Sequence, residues 1–176
     1  YALLKNSRFF HALKNKPILA TWDDHDFGLN DGGGEYPLKK EAQVEFWNWL
    51  DEPADSPRRK QEGVYHAQSF GPSGKRVQVI LLDTRYFRSP LKKVPKEKAM
   101  LGGTSVPTGD ESTTILGPAQ WSWFEKVLKE PAELRIVVST KLLGASTRSA
   151  SSISRCFCPG RTYLFEGRPC VGIQSE

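Results

Sequence analysis

Histidine and cysteine are scarce, with three of each in 176 residues. Cys156, Cys158 and Cys170 all fall near the C-terminus, and an odd number leaves at least one unpaired within the chain. Cys156-Phe157-Cys158 lacks the spacing of a zinc knuckle, so neither a structural zinc site nor a redox compartment is read from these residues. The histidines are His11, His25 and His66, and none follows His66. No apolar run approaches the ~18 residues of a membrane-spanning helix. Tyr1-Ala2-Leu3-Leu4-Lys5 lacks the basic start, apolar core and small-residue cleavage site of an export signal, and the chain has no initiator Met. It therefore reads as a piece of a longer protein whose compartment is not legible. There are no internal repeats.

The rest of the composition is that of a globular domain with a buried core: 38% apolar, 26% charged and 11% aromatic. The net charge of +5 and pI of about 9.1 favour anionic partners such as phosphorylated substrates. The basic residues are scattered, however. The densest groups, Pro57-Arg58-Arg59-Lys60 and Lys92-Lys93-Val94-Pro95-Lys96, are not interleaved with stacking aromatics, so no nucleic-acid platform is evident. Solvated loops, or steering of substrate, account for them.

Apolar spacing predicts a helix over Tyr1–Lys14, carrying His11 as a surface residue and ended by Pro17. Pro17–Trp22 reads as a short buried strand running into Asp23, and the glycine-rich stretch Gly28–Gly34 as a tight loop. Ala42, Phe46, Trp49 and Leu50 share one face of a helix over Leu38–Leu50. Asp51–Gln61 reads as a loop. Gly63–Phe70 and Val77–Leu82 form a hairpin about Gly71-Pro72-Ser73-Gly74, with His66 packed in mid-strand. The nearly all-apolar second strand implies a sheet covered on both faces. Ser89–Leu116 has no period, and a loop of that length is functional or mobile. Gly117-Pro118 opens a helix whose buried face is Trp121, Phe124, Val127 and Leu128; Pro131 closes it, and Leu134–Ser139 is a further buried strand. Trp47, Trp49, Trp121 and Trp123 read as packing residues. Interleaved strands and helices make residues 1–143 an α/β domain. From 144 to 176 the character changes: every basic residue is Arg, Ser, Gly and Cys become common, and apolar periodicity fades. That tail reads as disordered or as foreign to the domain.

Chemistry concentrates at Asp23-Asp24-His25-Asp26. Three carboxylates and an imidazole in four positions repel one another when buried without a cation, and a multiply charged metal offsets that repulsion. The quartet directly follows an apolar strand, which places it at a strand's carboxyl end, where open α/β sheets gather ligands. His25 is suited to proton transfer near neutral pH, and Asp26 to fixing its tautomer. The competing reading is that the aspartates cap a helix or bend a turn.

Ala20-Thr21-Trp22-Asp23-Asp24-His25-Asp26-Phe27-Gly28, with Asn30-Asp31-Gly32-Gly33, resembles the signature segment of the PhoD-like alkaline phosphatases. Gly63-Val64-Tyr65-His66, Val79 through Arg88 (containing Asp83-Thr84-Arg85) and Leu116 through Trp121 resemble three further segments of that family, in order. The resemblance covers residues 1–143. It implies a metallophosphoesterase-like layered sandwich of β-sheets flanked by helices, here incomplete, and hydrolysis of phosphate mono- or diesters. It further implies Asp24 as a metal ligand, His25 as phosphate contact and proton donor to the leaving oxygen, and Asp26 as the residue orienting it. Asp23 is the other metal candidate, as ligand or as support behind one. The metals implied are divalent or trivalent: iron, calcium, manganese or zinc. Arg85, delivered to a strand end, either grips phosphate oxygens or forms an ion pair with Asp83 or the aspartate quartet. Relatives are often exported.

The family's early metal-binding aspartates would precede Tyr1, and its late Gly-Asp-x-His motif, due after Leu134–Ser139, is not in the chain. A full two-metal site draws ligands from several strand ends, so the chain by itself is expected to be inactive. Two outcomes are open: a piece of an active phosphoesterase, or a non-catalytic product that at most binds a cation or phosphate.

Overall fold

A computed structural model describes residues 18–95 and 108–140, together with Asn6, Arg8, Lys16 and Ser105. The expected first helix with His11, and the tail from 144 to 176, lie outside the described residues.

A three-stranded mixed sheet organises the chain. Strand β1 (His66–Phe70) runs antiparallel to β2 (Val77–Leu81), with His66 opposite Leu81 and Phe70 opposite Val77. The turn between them places Gly71 and Gly74 at φ +89° and +82°, which glycine alone adopts without strain. This is the expected hairpin, with its first strand starting at His66 rather than Gly63. His66 therefore opens β1 instead of sitting in mid-strand. Strand β3 (Leu134–Val138) lies parallel to β2 on the other side, with Val77 opposite Leu134 and Leu81 opposite Val138. A parallel neighbour requires a crossover, and helix α3 (Gly117–Leu128) supplies it. The helix begins with Pro118 in its first turn, as expected. Among the described residues the α/β class is thus realised as one mixed sheet, with the central strand β2 the most buried.

Residues 18–22, expected as a strand, join no ladder among the described residues. The segment lies instead against the chain just past β2, where the Thr21 hydroxyl donates to the Leu82 carbonyl at 2.9 Å. After it come a single helical turn, α1 (Asp24–Phe27), and helix α2 (Lys39–Trp49).

Among the described residues, two apolar clusters form the core. Ile80 and Leu82 pack with Leu116, Phe124 and Val127, sealing α3 onto the sheet. Trp22, Phe27, Phe46, Trp47, Val64 and Tyr86 form the second cluster, which fastens α1 to α2. Trp22 meets Phe27 and Phe46 edge-on, at centroid separations of 5.0 and 5.2 Å, the preferred geometry for aromatic pairs. Of the face expected on α2, Phe46 is buried, while Ala42, Trp49 and Leu50 lie at its margin; the buried centre is Gln43, Phe46 and Trp47.

Two of the buried glutamines tie the elements together through hydrogen bonds. Gln78, within β2, donates to the Val127 carbonyl at 3.2 Å and so satisfies an end of α3. Gln43 accepts from the Gly63 amide at 2.8 Å and donates to the Gln61 carbonyl at 2.7 Å, tying α2 to the entrance of β1. The loop 51–61 contains a short 3-10 turn, Pro57–Arg59. Its arginines are not solvated as expected. Arg58 stacks 4.4 Å from the Trp47 ring centroid and pairs with Glu52 at 2.9 Å, while Arg59 donates to the Glu52 and Pro53 carbonyls. Both guanidiniums brace the loop against α2.

Candidate active site

The carboxyl ends of the parallel strands β2 and β3 are marked by Leu81 and Val138, and the chain beyond each is held there. The Leu82 amide donates to the Val138 carbonyl at 2.9 Å, and the Thr84 and Thr140 hydroxyls lie 2.6 Å apart. This is the edge at which α/β sheets collect ligands.

Asp83, wholly buried, organises that edge. Its Oδ1 accepts from the Trp22 indole Nε1 and from the amides of Arg85 and Tyr86, each at 2.9 Å. Its Oδ2 accepts from the Val64 amide, also at 2.9 Å. A buried carboxylate is costly unless its lone pairs are met, and here four N–H groups meet them. The same residue's backbone is clamped by Gln120, which accepts from its N–H at 2.9 Å and donates to its C=O at 2.8 Å. Asp83 therefore joins Trp22, the entrance to β1, the end of β2 and helix α3 at one point.

Because Trp22 is pinned by Asp83, the residue after it is brought over the strand ends. Asp23 accepts through Oδ1 from Arg85 Nε at 3.0 Å and also from Arg85 Nη2. Arg85 Nη1 lies 3.4 Å from Asp24 Oδ1. Asp23 and Asp24 thus converge on one guanidinium whose side chain is only 2% exposed, whereas the Asp23 side chain is 45% exposed. Of the two expectations for Arg85, the geometry shows the ion pair with the aspartate quartet.

The quartet divides by role. The Asp23 amide donates to Asp26 Oδ2 at 2.8 Å, a capping contact that starts α1 and realises the competing helix-cap reading for this pair. Gly28, at φ +117°, ends the helix after one turn. Asp24 Oδ1 accepts the Asp31 amide at 2.5 Å, so the glycine-rich loop folds back over it. His25 and Asp26 are exposed at the surface beside these groups. His66 opens β1 opposite Leu81, and burial, and then the Arg58 charge, lower its pKa.

Among the described residues, no three His, Cys, Asp or Glu side chains gather closely enough to hold a metal ion. The Asp23 carboxylate is engaged by Arg85, and one oxygen of Asp24 by the Asp31 amide. The described donors alone do not fit a metal, because the cation they share is already a guanidinium.

Sequence reading missed Asp83 as the hub, Gln120 as its clamp and Arg88 beneath the loop. Asp83 had a legible signal, since it follows its apolar strand as directly as Asp23 follows residues 18–22. Gln120 had one also: it stands four residues before Phe124 on the apolar face of α3.

No curated protein and no solved structure matches the chain. A model of one protein family does, described as PhoD-like phosphatase and matching residues 1–155. With 155 of 176 residues matched, and the signature aspartates and Asp83-Thr84-Arg85 segment brought to one sheet edge, the chain belongs to the PhoD-like phosphatase family.

Proposed function

We propose that this chain contributes part of the active site of a metal-dependent phosphoric ester hydrolase acting on mono- or diesters. In this reading the described sheet is one layer of a metallophosphoesterase-like sandwich. The observation that carries it is the position of the quartet: Asp23 and Asp24 converge at the carboxyl end of β2 and β3, with His25 exposed beside them. PhoD-like phosphatases are metal-dependent as a class. The remaining ligands would come from residues other than those described, with Asp24 offering its second oxygen and iron, calcium, manganese or zinc as candidate ions. His25 is accessible to donate a proton to a departing alkoxide or phenoxide. Arg85 holds Asp23 through Nε and Nη2, while its Nη1, 3.4 Å from Asp24, is buried without a hydrogen-bond partner and is the donor that a phosphate oxygen would take.

Metal analysis together with nitrophenyl phosphate turnover, on this chain and on one extended in frame at both ends, tests the reading. In an extended chain that turns over substrate, Asp24→Ala is expected to remove bound metal and nearly all turnover, and full activity in that variant would refute the assignment. His25→Ala is expected to lower kcat by about 10²–10⁴-fold, least for substrates with the most acidic leaving groups. A uniform loss across leaving groups would argue against proton donation.

A second reading, a non-catalytic chain that at most binds a cation or phosphate, is favoured by one observation. Arg85 already neutralises the pair of aspartates that a metal would otherwise join. Tight metal binding with turnover would dismiss it.

A further inference from the structure

We propose that Arg88 is a positioning residue for Asp24, acting through the backbone of Asp31; the inference rests on Asp24 being the functional carboxylate of the site. Arg88 is 4% exposed, and its Nη2 donates to the Asp31 carbonyl. The amide of the same Asp31 donates to Asp24 Oδ1 at 2.5 Å. One residue is thus held at its C=O by Arg88 while its N–H holds the carboxylate. Asp31 stands at φ +56°, a left-handed conformation that Asp adopts more readily than most side-chain-bearing residues, and Arg88 adds a hold on its carbonyl from outside the loop.

Arg88 restrains the loop from its backbone as well. Its carbonyl accepts the Gly34 amide at 2.8 Å, and a Cβ on Gly33 would lie 2.8 Å from that same oxygen. The loop is therefore fastened at Asp31 by the guanidinium and at Gly34 by the carbonyl. The arrangement is not a low-cost way to fill space. Arg88 Nε is buried with no hydrogen-bond partner, a state that usually carries a penalty. Burial, and then the neighbouring Arg85 charge, lower the Arg88 pKa, while Glu35, Asp31 and Asp24 oppose that shift. Without Arg88, the Asp31 carbonyl loses its side-chain donor and the turn is held by the bond from the Gly32 amide to the Leu29 carbonyl at 2.7 Å, so the Asp31 amide sits less firmly on Asp24.

The test reads the Asp31 amide by NMR in the full-length, nitrogen-15-labelled chain. In the wild type its proton should resonate far downfield, as expected for a short bond to a carboxylate, and Asp24→Asn should move it upfield. Arg88→Met should produce the same upfield movement, with hydrogen exchange at Asp31 about tenfold faster, the loss expected of one charge-assisted hydrogen bond. The amides of α2 should stay unchanged, and Asp24→Asn added to Arg88→Met should move the signal no further. Arg88→Lys, which keeps a donor, should restore part of the shift. An Asp31 signal unmoved by Arg88→Met overturns the proposal, and so do changes spread evenly over α2 and the sheet. If Arg88→Met does not fold, Arg88→Lys against the wild type carries the same two outcomes. Turnover of nitrophenyl phosphate is measured separately, on the chain extended in frame: its absence there would count against the hydrolase reading and leave the Asp31 signal to decide this one.

Discussion

Removing Asp23 should destabilise the protein more than removing the arginine that Asp23 binds. The partners are unequally buried: the Arg85 side chain is 2% exposed, the Asp23 side chain 45%. Asp23→Ala leaves a guanidinium deep in the protein, its Nε and Nη2 without acceptors and only Asp24 nearby, at 3.4 Å from Nη1. Breaking a buried pair on one side costs about 3–5 kcal/mol, and the remaining Asp24 charge puts this case near the lower end, at about 3 kcal/mol. Arg85→Met removes the buried charge, fills much of its volume, and leaves a carboxylate that water already reaches. An exposed charge partner is worth about 0–1 kcal/mol and a volume-conserving swap costs under about 1.5, so about 1 kcal/mol is expected. The difference of about 2 kcal/mol is roughly a factor of 30 in the folding equilibrium at 1.36 kcal/mol per decade. Urea unfolding followed by far-ultraviolet circular dichroism, with an unchanged m-value, measures each variant. The double variant should fall close to Arg85→Met alone, because the second change then removes only the contact of the Asp23 side chain with the Asp26 amide at the start of α1. A larger loss from Arg85→Met than from Asp23→Ala, or two losses that simply add, would show that the guanidinium is not the buried charge this pair exists to satisfy.

Asp83→Asn should cost about 2–4 kcal/mol, since the introduced NH₂ must face a donor, either the Val64 amide or the group cluster on Oδ1, and an unsatisfied buried group costs about 1–3 kcal/mol beyond the bond lost; loss of protection at the Val64 amide is the check, and full protection would count against the hub. Gly63→Ala should cost about 2–4 kcal/mol, because φ is +80° there and the added Cβ would lie 2.9 Å from the Phe87 ring and 3.0 Å from Asp83 Oδ2; thermal unfolding measures it, and a neutral result would mean the 63–83 contact is loose. Burial and Arg58 hold the pKa of His66 below its ordinary 6.5, so the folded state keeps it neutral while the unfolded state protonates first. Its stabilising contribution is therefore complete above about pH 6.5 and falls as pH drops below it toward the lowered folded value, so His66→Gln should flatten that part of the stability profile. Parallel profiles for the two proteins would show that His66 titrates alike in both states.

Local pattern made much of this architecture legible. The run Val77–Leu82 has the composition of a central strand, Gly71–Gly74 can only turn, and Gly117-Pro118 opens a helix; all three assignments hold because each depends on near neighbours in the chain. Residues 18–22 were misread for the opposite reason. Apolar content favours burial, but a strand needs a ladder partner, and among the described residues this segment is instead fastened by Thr21 and Trp22 side chains. Within the basic run 57–60, which is a loop with Lys60 exposed as expected, Arg58 and Arg59 were misread because charge alone says nothing of a Trp47 ring waiting beneath Arg58.

The sequence by itself determined the family, the hairpin, the two longer helices and the placing of an acidic quartet next to a buried segment, because periodicity, turn residues and motif order are properties of local chain. Tertiary structure alone decided what each of those acids does. Asp23 and Asp24 meet Arg85 from about sixty positions away, Asp26 turns back to cap its own helix, and Asp83 gathers donors from three separate segments. A carboxylate's partner is set by which distant donors the fold brings within hydrogen-bonding distance, and no reading of neighbours along the chain contains that distance.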